Sequence, residues 1–227
     1  IDQAEISNKY VVVGHGADQV EKVLDDSVKI VLQEQQLGTG HAVREALNVL
    51  KSDVDSFADT TVLITCGDTP LLRAESLSDM LAQHISQGNV ATVMTTIVDD
   101  PTGYGRILHD GKSILGIVEE KDASLNEKEI QEINVGTYCF SLEFLISKIN
   151  ELDTNNAQGE FYLTDLLKMA YEAGKPTAAF VLNDANESLG VNNRLQLARA
   201  EMLFRKRVNE KWMLQGISMQ DPSSIYI

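Results

Sequence analysis

Apolar positions along the chain alternate between two spacings, and the changeovers predict its elements. Lys9-Tyr-Val-Val-Val-Gly-His-Gly16 reads as a short buried strand closing in a Gly-flanked turn, and residues 28–32 as a second strand. Between them Val20, Val23 and Leu24 fall at helical spacing. A helix over 40–50 carries Ala42, Val43, Ala46, Leu47 and Leu50 on one face, and a helix over 76–87 carries Leu77, Met80, Leu81 and Ile85. Between these two helices runs Thr60-Thr-Val-Leu-Ile-Thr65, β-branched or Leu throughout, the pattern of a strand buried on both faces. Strands alternating with helices predict a parallel sheet covered by helices.

After Gly88 the rhythm changes. Residues 90–98 read as a strand, 105–108 and 113–118 as a hairpin around His109-Asp-Gly-Lys112, and 133–140 as a further strand. This stretch is expected to form a mixed sheet inserted over the site. Helices follow over 144–152 and 163–173, then a strand over 177–182. Asn192 opens a long helix to about Leu214, with Leu195, Ala198, Met202, Trp212 and Met213 near one stripe. Residues 216–227 have no helical pattern, and the chain holds no internal repeat.

A length of 227 residues suits one large α/β domain, or a domain with an appendage. The 34 acidic and 19 basic residues leave a net charge of −15, which argues against nucleic acid or an anionic membrane as a general partner. A polyanion would have to be held by a local site, a metal and backbone N–H groups. Cys66 and Cys139, both in apolar strand-like contexts, read as buried free thiols of a reducing compartment. No apolar run reaches the length of a membrane span and no signal peptide is recognisable, so a cytoplasmic protein is expected.

The candidate chemistry clusters at strand ends. Cys66-Gly67 breaks the predicted strand and presents Asp68 beyond it, where ligands of open α/β sheets bind. A lone hard carboxylate there suits Mg²⁺, and Gly-Asp-x-Pro equally suits a plain turn. Leu37-Gly-Thr-Gly-His41 either lets the backbone approach a ligand or forms a glycine turn with Thr39 as helix cap. Asp100-Pro-Thr-Gly-Tyr-Gly-Arg106 has more Pro and Gly than a turn needs, which points to a ligand-facing loop. Glu119-Glu-Lys-Asp122 reads as a solvated face, or as a carboxylate for sugar hydroxyls. Asn134, unfavourable inside a strand, requires a partner, either backbone or ligand. Asn192-Asn193 is ordinary helix-capping chemistry. None of the four His has a Cys or His neighbour at zinc-ligand spacing.

Several segments together carry a resemblance. They are Val31-Leu-Gln-Glu-Gln-Gln-Leu-Gly-Thr-Gly-His-Ala42, Cys66-Gly-Asp-Thr-Pro-Leu71, Asp99-Asp-Pro-Thr-Gly-Tyr-Gly-Arg-Ile107 and Gly116-Ile-Val-Glu-Glu-Lys-Asp-Ala123. Gln131-Glu-Ile-Asn-Val-Gly136, Asn155-Asn-Ala-Gln-Gly-Glu-Phe-Tyr-Leu-Thr-Asp165 and Gly190-Val-Asn-Asn-Arg-Leu-Gln-Leu197 continue the series. In order and spacing, nearly the whole chain resembles the bacterial bifunctional N-acetylglucosamine-1-phosphate uridyltransferase / glucosamine-1-phosphate acetyltransferase family.

That resemblance implies a Rossmann-like nucleotide-diphospho-sugar transferase fold: a mixed, mostly parallel sheet with helices on both faces, then a long helix. Residues 1–191 would be the uridyltransferase domain, 192–215 a connecting helix and 216–227 the entry to a left-handed β-helix. The implied reaction joins UTP and N-acetylglucosamine 1-phosphate into UDP-N-acetylglucosamine and pyrophosphate, with Mg²⁺ as cofactor and Asp68 central to catalysis. Carried over by position, Gln33, Gly38 and Thr39 would hold uracil. Asp68 and Asn192 would ligate the metal. Gly105, Glu119 and Asn134 would read the acetamido sugar, with Cys66 and Gly67 lining the substrate. The family's full-length members imply a homotrimer through the β-helix.

Two departures qualify the transfer. The family's first strand and its glycine-rich triphosphate loop have no counterpart in residues 1–30, so residues 1–227 alone are expected to lack turnover while keeping weak nucleotide-sugar binding. The hexapeptide repeats of the acetyltransferase half are not in this sequence. Cys66 also stands where relatives often carry Tyr. The alternatives are a sister enzyme acting on another sugar phosphate, and a nucleotide-sugar binding module without catalysis.

Overall fold

A computed structural model describes Ile6 and residues 8–227; residues 1–5 and 7, at the start of the predicted domain, lie outside the described residues. The expected α/β architecture is present, built around one long strand, β7 (Glu132–Ser141). Its side chains alternate between two cores, as a strand's period of two dictates. Tyr138 and Phe140 join a cluster with Leu47 of α2 (Thr39–Leu50), Leu145 of α4 (Leu142–Lys148) and Leu166 of α5 (Asp165–Glu172). Val135 and Cys139 face the other way, onto Leu77 and Met80 of α3 (Ala74–Ser86). Helices thus cover both faces.

The sheet is mixed. On one edge β7 pairs antiparallel with β4 (Ala91–Ile97), which pairs in parallel with β8 (Thr177–Val181). Its other edge is shared: β3 (Thr61–Ile64) takes residues 138–141, and β5 (Arg106–Asp110) takes Ile133. β5 continues into β6 (Ser113–Val118), so the hairpin extends this six-stranded sheet and is not a separate insertion above it. A second, two-stranded sheet pairs β1 (Tyr10–Val13) with β2 (Lys29–Leu32) in parallel.

Some sequence expectations need correction. β3 is half-exposed along its length rather than buried, because among the described residues it is paired on one edge only. Helix α1 is short, Ala17–Glu21, and buries nothing. In α3 the expected inward Ile85 is exposed, and His84 takes the buried place against Thr92. The long helix α6 (Arg194–Leu214) leaves Leu195, Met202 and Trp212 exposed and buries Ala200 and Asn209. Asn209 donates to the carbonyls of Pro222 and Ile225, which ties the tail to the helix.

Candidate active site

Between Tyr138 and Asn134 the pairing of β7 with β4 loses register: β4 advances two residues, Val93 to Thr95, while β7 advances four. The extra residues form a bulge around Gly136, whose φ is +79°. Bulges of this kind re-aim side chains beside sites. A Cβ at Gly136 would come within 3.1 Å of Cys66 Sγ, so Gly is needed for that close approach. On the opposite edge of β7, β3 stops at Tyr138 and β5 begins at Ile133, so among the described residues the bulged positions between them have no strand partner there. Thr65 and Thr137 share a hydroxyl contact of 3.0 Å that pins β3 to the bulge.

Three expected residues meet at the β5 side of this opening. A Cβ placed on Gly105 would lie 3.3 Å from Glu119 Oε2 and 3.5 Å from Asn134 Cβ. Gly105 also accepts the Asn134 backbone N–H at 2.9 Å. Asn134 has the partners its position demands: its oxygen accepts from Gly136 N at 2.9 Å, and its amide donates to the Tyr138 hydroxyl at 2.7 Å. Burial pushes Tyr138 well above the usual phenol range, so it stays a neutral hydroxyl. Glu119 accepts from Thr164 Oγ1 at 3.3 Å. Burial, reinforced by the negative charges of Asp122 and Asp165, holds its carboxyl above the ordinary range. Glu119 is therefore no solvated surface charge.

On the β3 side stand Cys66, Gly67 and Asp68, all exposed. As a residue Cys66 is exposed, unlike the buried cysteine its apolar context suggested, because the strand ends at Ile64; its sulfur nevertheless turns inward to the Gly136 carbonyl at 3.5 Å. Both cysteines are free. Burial first, then the charges of Asp68 and Glu119, push the Cys66 thiol upward, placing this sulfur in the field of both carboxylates.

Asp68 and Asn192 converge. A Cβ on Gly190 would lie 3.6 Å from Asp68 Oδ2 and 3.7 Å from Asn192 Nδ2, and Val191 N donates to Asp68 O at 2.8 Å. Neither side chain makes a hydrogen bond among the described residues. The helix cap falls to Asn193, whose oxygen accepts Gln196 N at 2.9 Å. Asn192 is therefore freed from the capping role its sequence suggested. A carboxylate and an amide that meet beside Gly190 fit a hard cation that keeps most of its shell as water, once the amide turns its oxygen toward it.

Gln33, Gly38 and Thr39 lie at the other end, where β2 leads into α2. Gln33 is buried and lines an open depression of about 380 Å³ with Gly14, His15, Leu32, Glu34 and Gln36. Gly38 has φ +107°, and a Cβ there would strike the Phe161 carbonyl oxygen at 2.7 Å. Thr39 is not a cap: Gly38 precedes the helix, and Thr39 Oγ1 accepts Leu163 N at 3.1 Å. The segment Phe161–Thr164 consequently touches Gly38 and Thr39 at one end and Glu119 at the other, joining the two halves of the site.

Sequence reasoning missed Thr164, Tyr138, Gly190 and His41 as supports. Gly136, a glycine inside a strand pattern, was the available signal for the bulge.

The fold and the site define a class: an α/β protein whose acidic and amide side chains gather at strand ends around a bulge, where α/β sheets hold nucleotides. The chain belongs to the nucleotidyl transferase family, whose model matches residues 8–213. It is 44% identical to the Bifunctional protein GlmU of Lactococcus lactis subsp. lactis (strain IL1403) and 45% identical to that of Streptococcus mutans serotype c, each over the whole of this chain. It spans about half the length of these curated relatives, 49% in both cases. Among solved structures it resembles a UDP-glucose pyrophosphorylase complexed with UDP-glucose, with TM-score 0.67 and 15% identity over 91% of this chain and 83% of that one. The apo form of a UDP-glucose pyrophosphorylase gives TM-score 0.66 at 14% identity, over 91% and 84%. At such identities these two speak for the fold alone. No described helix is long and apolar enough to cross a membrane.

Proposed function

We propose that this chain is the uridyltransferase part of an enzyme that makes UDP-N-acetylglucosamine and pyrophosphate from UTP and N-acetylglucosamine 1-phosphate. The observation that carries the reading is the meeting of Gly105, Glu119 and Asn134, with Cys66 lying in the field of both Glu119 and Asp68. Glu119, when ionised, accepts from sugar hydroxyls, and Asn134 and the Gly105 backbone address the acetamido group. Gln33 and the Gly38 backbone hold uracil at the far end, while Thr39 acts by fixing Leu163.

The sugar phosphate arrives as an anion, so attack on the α-phosphorus needs no general base from the protein. What the chain supplies is alignment of two substrates, which alone accounts for a large share of such rate enhancements. Asp68 and Asn192 would hold Mg²⁺, which when bound neutralises phosphate charge. With a net charge of −15, the protein depends on such a local cation to tolerate a triphosphate.

The test has two stages. Calorimetry on residues 1–227 should show UDP-N-acetylglucosamine binding tighter than UDP-glucose. In a chain joined to the family's glycine-rich loop, pyrophosphate release should require UTP and N-acetylglucosamine 1-phosphate, and Asp68→Asn should lower turnover by orders of magnitude. Equal use of glucose 1-phosphate would overturn the sugar assignment, and full turnover by the Asn variant would remove Asp68 from the metal site.

A further inference from the structure

Gln33 reaches two partners with one nitrogen: Nε2 lies 3.2 Å from the Gly38 carbonyl and 2.8 Å from His41 Nδ1. A carbonyl only accepts, so the group facing Gly38 must be the amide NH₂. His41 Nδ1 must then accept the second amide hydrogen, which places the His41 proton on Nε2. That nitrogen faces Glu45 Oε1 at 3.3 Å, an acceptor that favours the same tautomer. The ring is held in place by burial and by Phe161, 6.4 Å away and nearly parallel. With both of its donors occupied, Gln33 has only its oxygen left for a ligand in the depression it lines.

We infer that His41 is a positioning residue for base selection: through Gln33 it presents an acceptor, and so admits a pyrimidine with an N3–H donor over one with a bare N3. Uracil and thymine offer that donor, whereas cytosine offers a second acceptor and would face the Gln33 oxygen unpaired. Sites that hydrogen-bond a ligand group discriminate strongly against analogues that lack it. His41 and Glu45 sit one turn apart on α2, and Gln33 and His41 are buried, so the amide is set before any ligand arrives. The inference rests on the uracil reading of Gln33 given above and adds the residues that fix its polarity.

Calorimetric binding of UDP and CDP to the wild-type chain and three variants tests it. The wild type should prefer UDP. His41→Leu removes the acceptor and lets the amide turn over, so the UDP/CDP preference should fall about tenfold, the equivalent of one hydrogen bond. His41→Asn, whose side-chain oxygen can still accept from Gln33, should keep most of the preference. Glu45→Leu, at a partly exposed position, releases the tautomer without touching the core and should give a smaller fall in the same ratio. A purely structural role for His41 would weaken both nucleotides alike and leave the ratio unchanged, and that result overturns the inference. A wild type that binds UDP and CDP equally overturns the uracil reading together with it.

Discussion

The two ends of this site are built on different foundations. The residues proposed to read the sugar hang on β5, β6 and β7, where Ile107, Ile114, Ile133 and Phe140 are fully buried. There Arg106, itself buried, clamps Glu120 at 2.7 Å and the Tyr104 carbonyl, so the Gly105 loop is tied to the segment after β6 that carries Glu119. At the end proposed for the base, Gln33 follows a separate strand pair, β1 and β2, with Ile30 and Leu32 exposed and a neighbouring helix that buries nothing, while Gly38 and Thr39 open α2. Gln33 is held there by a buried contact with His41, and Thr39 by its bond to Leu163 N. Discrimination between similar sugars depends on buried polar groups being in place beforehand, since a ligand that leaves them unpaired is rejected. A base can be gripped by a looser element provided one donor–acceptor pattern is fixed.

Hydrogen exchange breaks or sharpens that contrast most directly. Exposed, singly paired elements open locally at low free energy, whereas central strands open with the global transition. Amides of β4 and β7 should exchange at least ~100-fold more slowly than those of β1 and β2. Equal protection in both sheets would show the base end to be as rigid as the sugar end.

Substitution at Glu119 sharpens the sugar side. Its carboxyl is raised by burial first and by Asp122 and Asp165 next. A raised carboxylate contributes stability below its unfolded pKa and loses it as pH rises through the folded value. At neutral pH the buried charge therefore strains the ligand-free fold. Glu119→Gln should raise the melting temperature at pH 7 by a few degrees and give no gain near pH 4. The same variant should weaken N-acetylglucosamine 1-phosphate about tenfold or more and leave UTP unchanged, the cost of one mispaired buried group. Loss of affinity for both substrates would mean that the two ends are not energetically separate.

The same contrast explains what the sequence could disclose. Motif position singled out Gly105, Glu119, Asn134 and Asn192; the first three meet at one corner, and Asn192 lies with Asp68 beside Gly190. The strands and most helices were legible because apolar spacing on β4, β7 and α2 reports burial directly. Burial of β3 was misread because a β-branched run says nothing of whether a neighbour covers its second edge. Cys66 was misread because strand composition continues past the last paired residue. Asn192 and Asn193 could not be told apart by capping propensity, since only backbone geometry decides which of two adjacent Asn caps a helix. His41 escaped notice because its effect runs through another side chain.

His84 sits on α3, a helix packed against β4 and β7 that carries none of the residues proposed to bind a ligand. It is 2% exposed, touches Thr92 Oγ1 at 2.8 Å through Nδ1, and burial lowers its pKa to about 4. A His with a depressed folded-state pKa contributes stability above its unfolded value of roughly 6.5, and that stability is lost as pH falls toward the folded value. Between about pH 6.5 and about pH 4 the native state should thus lose up to roughly 3 kcal/mol through this one group. His84→Gln keeps a hydrogen-bonding side chain but cannot take up the proton, so its acid slope in that window should be flatter than the wild type's. Identical slopes in thermal melts across the window would show that His84 is already solvated when it protonates. The sugar-side sheet would then be looser at its back than its buried strands imply, and the contrast with the base end would shrink accordingly.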